Sequence, residues 1–272
     1  MDGMHGSGGN LTAVRFARFA IADQIAYGVV DGDQTEPQSM TVTAIDGHPF
    51  APFELTGAVF SLADVRLLPP VLPSKVIGIG KNYPDHAREV GGEAPTTPVM
   101  FLKPSTSVIG SGETVLLPPQ STRVEFEGEL AVVIGRLARE VPRDRVADVV
   151  LGYTCADDVT ARDLQRSDGQ WVRAKGFDSF CPLGPWIATG LDPSDLTITT
   201  TINGELRQSA RTSSMVHSVV DLVCFVSTVM TLLPGDVILT GTPAGVGPLA
   251  SGDRVEVTVE GVGTLSHSVA GP

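Results

Sequence analysis

The sequence predicts a mixed, mostly β fold with short helices, divided into a small β-rich N-terminal domain with its linker (residues 1–70) and a larger domain (residues 71–272). Three observations predict it. Short apolar stretches bounded by turn residues recur along the chain, as strands do. Helical spacing is confined to two segments. A cluster of prolines, Pro69, Pro70 and Pro73, interrupts the chain where helix and central strand are both disfavoured.

In the N-terminal part, apolar stretches such as Ile21-Ala22 and Tyr27-Gly28-Val29-Val30 are broken by the polar turn from Asp31 to Pro37. After Lys75, Val76-Ile77-Gly78-Ile79-Gly80 reads as a buried strand. Residues 85–90 read as one or two helical turns stopped by Gly91-Gly92, and residues 94–98 as loop. Further strands are expected at 130–134, 149–154, 196–202, 237–239, 254–259 and 263–268. Asn203-Gly204 is the strongest hairpin signal, because both residues tolerate the positive φ of a two-residue turn. Residues 219–232 space their apolar side chains as a helix does and stop before Pro234-Gly235. Strands do not alternate with long helices, so a doubly wound parallel sheet is excluded.

With 272 residues, 42% hydrophobic and 18% charged, and a mean hydropathy of +0.15, the chain can bury a substantial core. Its 31 acidic and 19 basic residues give a net charge of −12, which repels nucleic acid and anionic bilayers, and no basic cluster offsets it. Cys155, Cys181 and Cys224 form no C-x-x-C pair, so neither a disulfide framework nor a zinc site is expected; a reducing, cytoplasmic setting fits. Residues 1–10 lack the pattern of a secretory leader, and no apolar run approaches the ~20 residues that a membrane span needs.

Two glycine-rich segments look like nucleotide loops and are not. Gly78-Ile-Gly80 lacks the third glycine of a dinucleotide fingerprint, and Thr240 to Gly247 lacks the Lys-Ser/Thr of a phosphate loop. The second segment still offers backbone N–H groups and the Thr242 hydroxyl to a carboxylate. A purely structural turn accounts for it equally well.

The acidic residues carry the chemistry. If Glu125, Glu127 and Glu129 share one extended strand, the two-residue period turns all three to one face, where like charges need a counter-charge. The following run Leu130-Ala-Val-Val-Ile134 marks that strand as interior. Asp157 and Asp158 close another expected strand, where sites are usually built. Buried carboxylates are costly unless neutralised, and a Mg²⁺ or Mn²⁺ ion held by oxygen ligands neutralises them.

These segments, in order and spacing, resemble the fumarylacetoacetate hydrolase superfamily, in particular its acylpyruvase and 2-hydroxyhepta-2,4-diene-1,7-dioate isomerase group. The resemblance rests on Gly80-Lys-Asn-Tyr-Pro-Asp-His86-Ala-Arg-Glu89, Phe101-Leu-Lys-Pro104, Glu125-Phe-Glu-Gly-Glu-Leu-Ala-Val-Val-Ile-Gly135, residues 152–163, Arg173-Ala-Lys-Gly-Phe177 and residues 233–247. It implies a β-roll catalytic domain, usually assembled as a homodimer. It also implies Glu127, Glu129 and Asp158 as metal ligands, Lys175 as the lysine that meets substrate oxygens, His86 and Glu89 as a water-activating pair on a lid, and Thr242 in the substrate loop. Asp157, where many relatives have Asn, leaves open which aspartate binds the metal. Arg211 to Met215 departs from the commoner Asn-Thr-Ser-Asp-Met.

A 2-oxo acid can chelate a divalent ion through its carboxylate and keto oxygens. Carbon–carbon cleavage next to a second carbonyl then leaves a pyruvate enolate that the ion and Lys175 stabilise. The expected activity is therefore hydrolysis of a small anionic acylpyruvate or related diketo acid. Oxaloacetate decarboxylation, and isomerisation of an unsaturated 2-oxo diacid such as a substrate derived from 5-carboxymethyl-2-hydroxymuconate, are the alternatives. A binding protein or scaffold is disfavoured because the whole catalytic set is present. His217 and His267 read as packed or hydrogen-bonded, His5 and His48 receive no role, and Cys155 and Cys181 read as small core fillers.

Overall fold

Residues 13–271 are described by a computed structural model, in which the strand-forming segments assemble into three sheets; His5 and the N-terminal ten residues lie outside them. The largest sheet runs, neighbour to neighbour, through Phe53–Ser61, Thr41–Gly47, Gln24–Asp31, Arg15–Ile21, Cys181–Ala188, Val150–Asp157, Gly128–Ile134, Val237–Leu239, Val76–Gly80 and Val99–Lys103. Its N-terminal meander continues into the larger unit without a break, because Arg15 and Phe16 pair with Ala188 and Ile187. The mostly β, short-helix architecture expected from the sequence is the one observed.

Gly128–Ile134 is buried throughout and shows why an unbroken apolar run forms an interior strand. Successive side chains point to opposite faces, so Leu130, Val132 and Ile134 join one core cluster while Ala131 and Val133 join another. A second sheet packs on the first face. Its strands are Glu205–Arg211, Thr197–Ile202, Arg254–Val259, Gly263–Ala270 and Thr114–Leu116, and Ile198, Val257 and Leu265 lie in the same cluster as Leu130 and Val132. The expected hairpin closes on Asn203 (φ 53°) and Gly204 (φ 82°), with Ile202 opposite Glu205.

Several strands escape sequence reasoning, three of them for clear physical reasons. Cys181–Ala188 carries Pro182 and Pro185, which argue against a central strand, yet it lies between two neighbours. Its ladder with Val150–Asp157 shifts register between Tyr153 and Cys155, and that irregularity accommodates residues that cannot donate. Glu205–Arg211 is polar and largely exposed, so it has no apolar signature. Val99–Lys103 is an edge strand that ends on a buried lysine.

The long helix forms at Val219–Val229, capped by a reciprocal Ser218–Asp221 box, and buries Val219, Leu222, Val223 and Val226. It ends earlier than the apolar spacing suggests, because Met230 is already extended. The short helix is Pro84–Glu89, with proline in its first turn.

Strand direction gathers the site. Gly128 pairs with Asp157, Ala131 with Leu239, and Leu239 with Gly78. One end of the sheet therefore holds the start of Gly128–Ile134 together with the ends of Val150–Asp157, Val237–Leu239 and Val76–Gly80.

Candidate metal centre and active site

The expected single strand through the three glutamates is in fact two. Val124–Phe126 pairs with Thr160–Ala161 and Gly247–Pro248 in a small third sheet, and Gly128–Ile134 belongs to the large one. Glu127 sits at the break. Side chains replace the ladder there: Glu127 N donates to Asp157 Oδ1 (2.7 Å) and Gly128 N to Gln208 Oε1 (3.0 Å). Residue 128 must be glycine because a Cβ would lie 2.0 Å from Thr200 Oγ1.

The break separates the carboxylates. Glu125 turns to Arg123 Nε (2.6 Å) and Arg162 Nε (2.7 Å), away from the other two. Glu127, Glu129 and Asp158 are buried, and each places a carboxylate oxygen within 4.8 Å of the others'. Asp157 is not in this group. It holds Glu127 N and accepts from His267 Nε2 at 2.8 Å, both side chains being fully buried. His267 is thus a hydrogen-bonded core histidine.

Two buried lysines and one arginine face the three carboxylates. Lys175 Nζ donates to Glu127 Oε2 (2.8 Å) and Asp158 Oδ2 (2.6 Å), Lys103 Nζ to Asp158 Oδ1 (2.5 Å), and Arg162 Nη2 to Glu127 Oε1. Burial pushes the Glu127 carboxyl up, but Lys175 and Arg162 outweigh it and hold the group well below the usual range. Burial likewise works against the Lys175 ammonium, and Asp158 and Glu127 more than offset it, leaving its pKa raised. Glu129 is different. It accepts only from Gly241 N (2.6 Å), and burial followed by the charges of Asp158 and Glu127 drives its carboxyl well above the ordinary value. An all-carboxylate, oxygen-only donor set with one member short of positive charge fits a divalent Mg²⁺ or Mn²⁺ ion better than a softer metal.

A cavity of about 150 Å³ opens onto this cluster, lined among others by His86, Glu127, Glu129, Lys175 and Thr242. His86 is buried, and its Nδ1 lies 3.1 Å from Glu89 Oε2. Glu89 also accepts from Gly245 N at 3.0 Å, which ties the short helix to the loop after Val237–Leu239. Thr242 lines the cavity as well; its hydroxyl donates to Gly128 O (2.9 Å) and accepts from Gln208 Nε2 (2.7 Å), which fixes its position and spends its only proton. Arg211 pairs with Asp195 at the surface and is not among the residues lining the cavity.

Sequence reasoning missed Lys103, Arg162, Gln165 and Asn82. Lys103 had a signal, a lone charge closing the apolar stretch Val99-Met-Phe-Leu. Arg162 and Gln165 sit one helical turn apart on Arg162–Ser167 and hydrogen-bond each other at 2.6 Å. Asn82 Nδ2 donates to His217 O (2.9 Å) and Thr240 O (2.8 Å), pinning the cavity wall.

A buried three-carboxylate cluster able to hold a divalent metal, at one end of a mixed β sheet beside a lysine and a His-Glu pair, is the arrangement of an enzyme site. The chain belongs to the fumarylacetoacetate hydrolase family: the model for the fumarylacetoacetate (FAA) hydrolase C-terminal domain matches residues 75–270, and one for the Rv2993c-like N-terminal region matches residues 14–70. Protein Rv2993c of Mycobacterium tuberculosis is 53% identical over 259 residues, covering 94% of this chain and 98% of its own. The structure of 2-hydroxyhepta-2,4-diene-1,7-dioate isomerase from Mycobacterium marinum matches with a TM-score of 0.89 at 50% identity, over 95% of this chain and 98% of that one. The mitochondrial oxaloacetate tautomerase Fahd2a of Rattus norvegicus is 42% identical over 219 residues, 76% of this chain and 70% of its own.

Proposed function

We propose that the protein is a Mg²⁺- or Mn²⁺-dependent tautomerase or isomerase of a small 2-oxo diacid of the oxaloacetate type. The observation that carries this reading is the oriented base: His86 lines the cavity beside Glu127, Glu129 and Lys175, and its Nδ1 is held by Glu89. Moving a proton within a small diacid needs such a base and no attacking water. Hydrolysis of an acylpyruvate, the first expectation from the sequence, also needs a water placed to attack the second carbonyl. The similarity to an oxaloacetate tautomerase and to a dienedioate isomerase points the same way.

Glu127, Glu129 and Asp158 would hold a divalent cation, which would supply Lewis-acid polarisation of a 2-keto group. Lys175 gives two of its three N–H donors to Glu127 and Asp158 and keeps the third for the oxygen on which negative charge develops. Glu89 holds Nδ1 of His86 and leaves Nε2 to take the C3 proton and return it. The Gly245 N–Glu89 hydrogen bond ties this helix to the loop beside the cavity and so holds His86 in place. The protein works as a homodimer, a reading supported by the exposed Val99, Leu102 and Val172 beside the free edge strand and checked by sedimentation.

The test is to add enol-oxaloacetate to metal-loaded protein and follow enol absorbance and the proton NMR spectrum together. Faster enol–keto interconversion with no fragment released is expected. Release of pyruvate at the rate of substrate loss would assign decarboxylation instead.

A further inference from the structure

Arg162, Gln165 and Arg166 lie on one face of the helix Arg162–Ser167, at the three- and four-residue spacing that aligns side chains, and all three line the cavity. Lys81 lines it from the opposite wall, at the end of Val76–Gly80. Of the four cations there, two are already ion-paired with protein carboxylates. Arg162 is divided among Glu125, Glu127 and Gln165, and Lys175 between Glu127 and Asp158. Among the described residues, neither Lys81 nor Arg166 has an ion pair or side-chain hydrogen bond.

The backbone at Lys81 adds a second observation. Its φ is +59°, in the left-handed region that a lysine rarely adopts. Such strain persists where neighbouring structure imposes it, and it recurs at ligand clamps. Here Asn82, buried and pinned to His217 and Thr240, fixes the next residue, and the Lys81 ammonium rests against Gly92 in the turn that ends the short helix. A Cβ at position 92 would stand 3.2 Å from that ammonium. Lys81 thus lines the cavity with its ammonium beside the turn that ends the short helix.

We infer that Lys81 and Arg166 bind the second carboxylate of the substrate and make the site selective for 2-oxo diacids over 2-oxo monoacids. The inference rests on the site receiving a 2-oxo acid at the Glu127–Glu129–Asp158 end, and adds which groups read the far end. The inner cations are neutralised by protein carboxylates, so a second substrate charge has only these two partners. Arg166 supplies a planar fork suited to a carboxylate, and Lys81 a mobile point charge.

Oxaloacetate and pyruvate differ by the one carboxylate, which makes them the probes. Binding of each to the Mg²⁺-loaded protein is measured by calorimetry for the wild type, Lys81→Gln, Arg166→Gln and the double variant, alongside KM and kcat for enol-oxaloacetate. Each single substitution is expected to weaken oxaloacetate roughly tenfold, and the double variant more, mostly through KM, while pyruvate affinity stays within about twofold. Arg166→Lys should recover part of the loss. Retained pyruvate binding doubles as the folding control, and Arg166 is exposed enough to substitute safely. Equal loss of both ligands, or of neither, overturns the inference. A wild type that binds oxaloacetate more tightly than pyruvate but turns over neither would leave this inference standing and sink the tautomerase reading instead.

Discussion

Asp157 Oδ2 and His267 Nε2 lie 2.8 Å apart with both side chains shielded from solvent, and this pair decides which of two adjacent aspartates faces the metal centre. Asp157 points into the interface between the two larger sheets, where it also receives Glu127 N. Asp158 takes the opposite side of the chain, with Lys103 and Lys175.

Asp157 is therefore expected to matter for folding more than for metal binding. Asp157→Ala leaves the Glu127 amide and His267 Nε2 unpartnered in the core, which should cost about 3 kcal/mol. Urea denaturation measures it. A loss under about 1 kcal/mol, or a loss of Mn²⁺ affinity with stability intact, would show that Asp157 belongs to the metal site after all.

Glu129 and Asp158 should carry metal affinity. Glu129→Gln and Asp158→Asn each remove a charge from the ligand set and are expected to weaken Mn²⁺ at least tenfold, as read by titration of its paramagnetic resonance signal. Stripping the metal should abolish enol–keto interconversion, with recovery on adding Mg²⁺ or Mn²⁺. Unchanged Mn²⁺ affinity in both variants would remove the cluster from consideration.

The pair His86 and Glu89 separates proton transfer from closure. His86→Ala should lower kcat by roughly 10²–10⁴. Glu89→Gln keeps an oxygen for Gly245 N but no longer offers the imidazole a charge, so its kcat should fall less and its pH–rate profile should shift. Glu89 is exposed, so thermal stability should hold. If Glu89→Gln changed the melting temperature and left the pH profile alone, the residue would be a structural tether only.

What could be read from the sequence follows from how locally each feature is encoded. Leu130 to Ile134, the Asn203-Gly204 turn and the apolar spacing of residues 219–232 express themselves through neighbouring residues, and the structure places them as strand, hairpin and helix, the last ending at Val229. Glu127, Glu129 and Asp158 were picked through the family resemblance, and geometry brings them together. The break at Glu127 was invisible because it depends on Asp157, Gln208 and Thr200, which lie far along the chain. Thr242 shows the same limit. Its hydroxyl is held by Gln208, on a strand with no apolar pattern to reveal it.

Lys103 offers the most discriminating substitution, because it acts on the site without lining the cavity. Its ammonium is buried against Asp158 Oδ1 and the Val159 carbonyl, so it neutralises Asp158 and competes with any cation for that oxygen. Lys103→Met removes both effects. In metal-free protein Asp158 keeps Lys175 on Oδ2 but is left with an unpartnered, buried Oδ1, which should lower stability by about 2 kcal/mol. Added Mn²⁺ should then restore more than it does in the wild type, since binding now satisfies that oxygen as well as filling the site. Melting temperatures with and without saturating Mn²⁺ measure the difference directly. A larger Mn²⁺-induced rise in Lys103→Met than in the wild type is expected, and an equal or smaller rise would mean that Lys103 supports the fold without tuning the metal ligands.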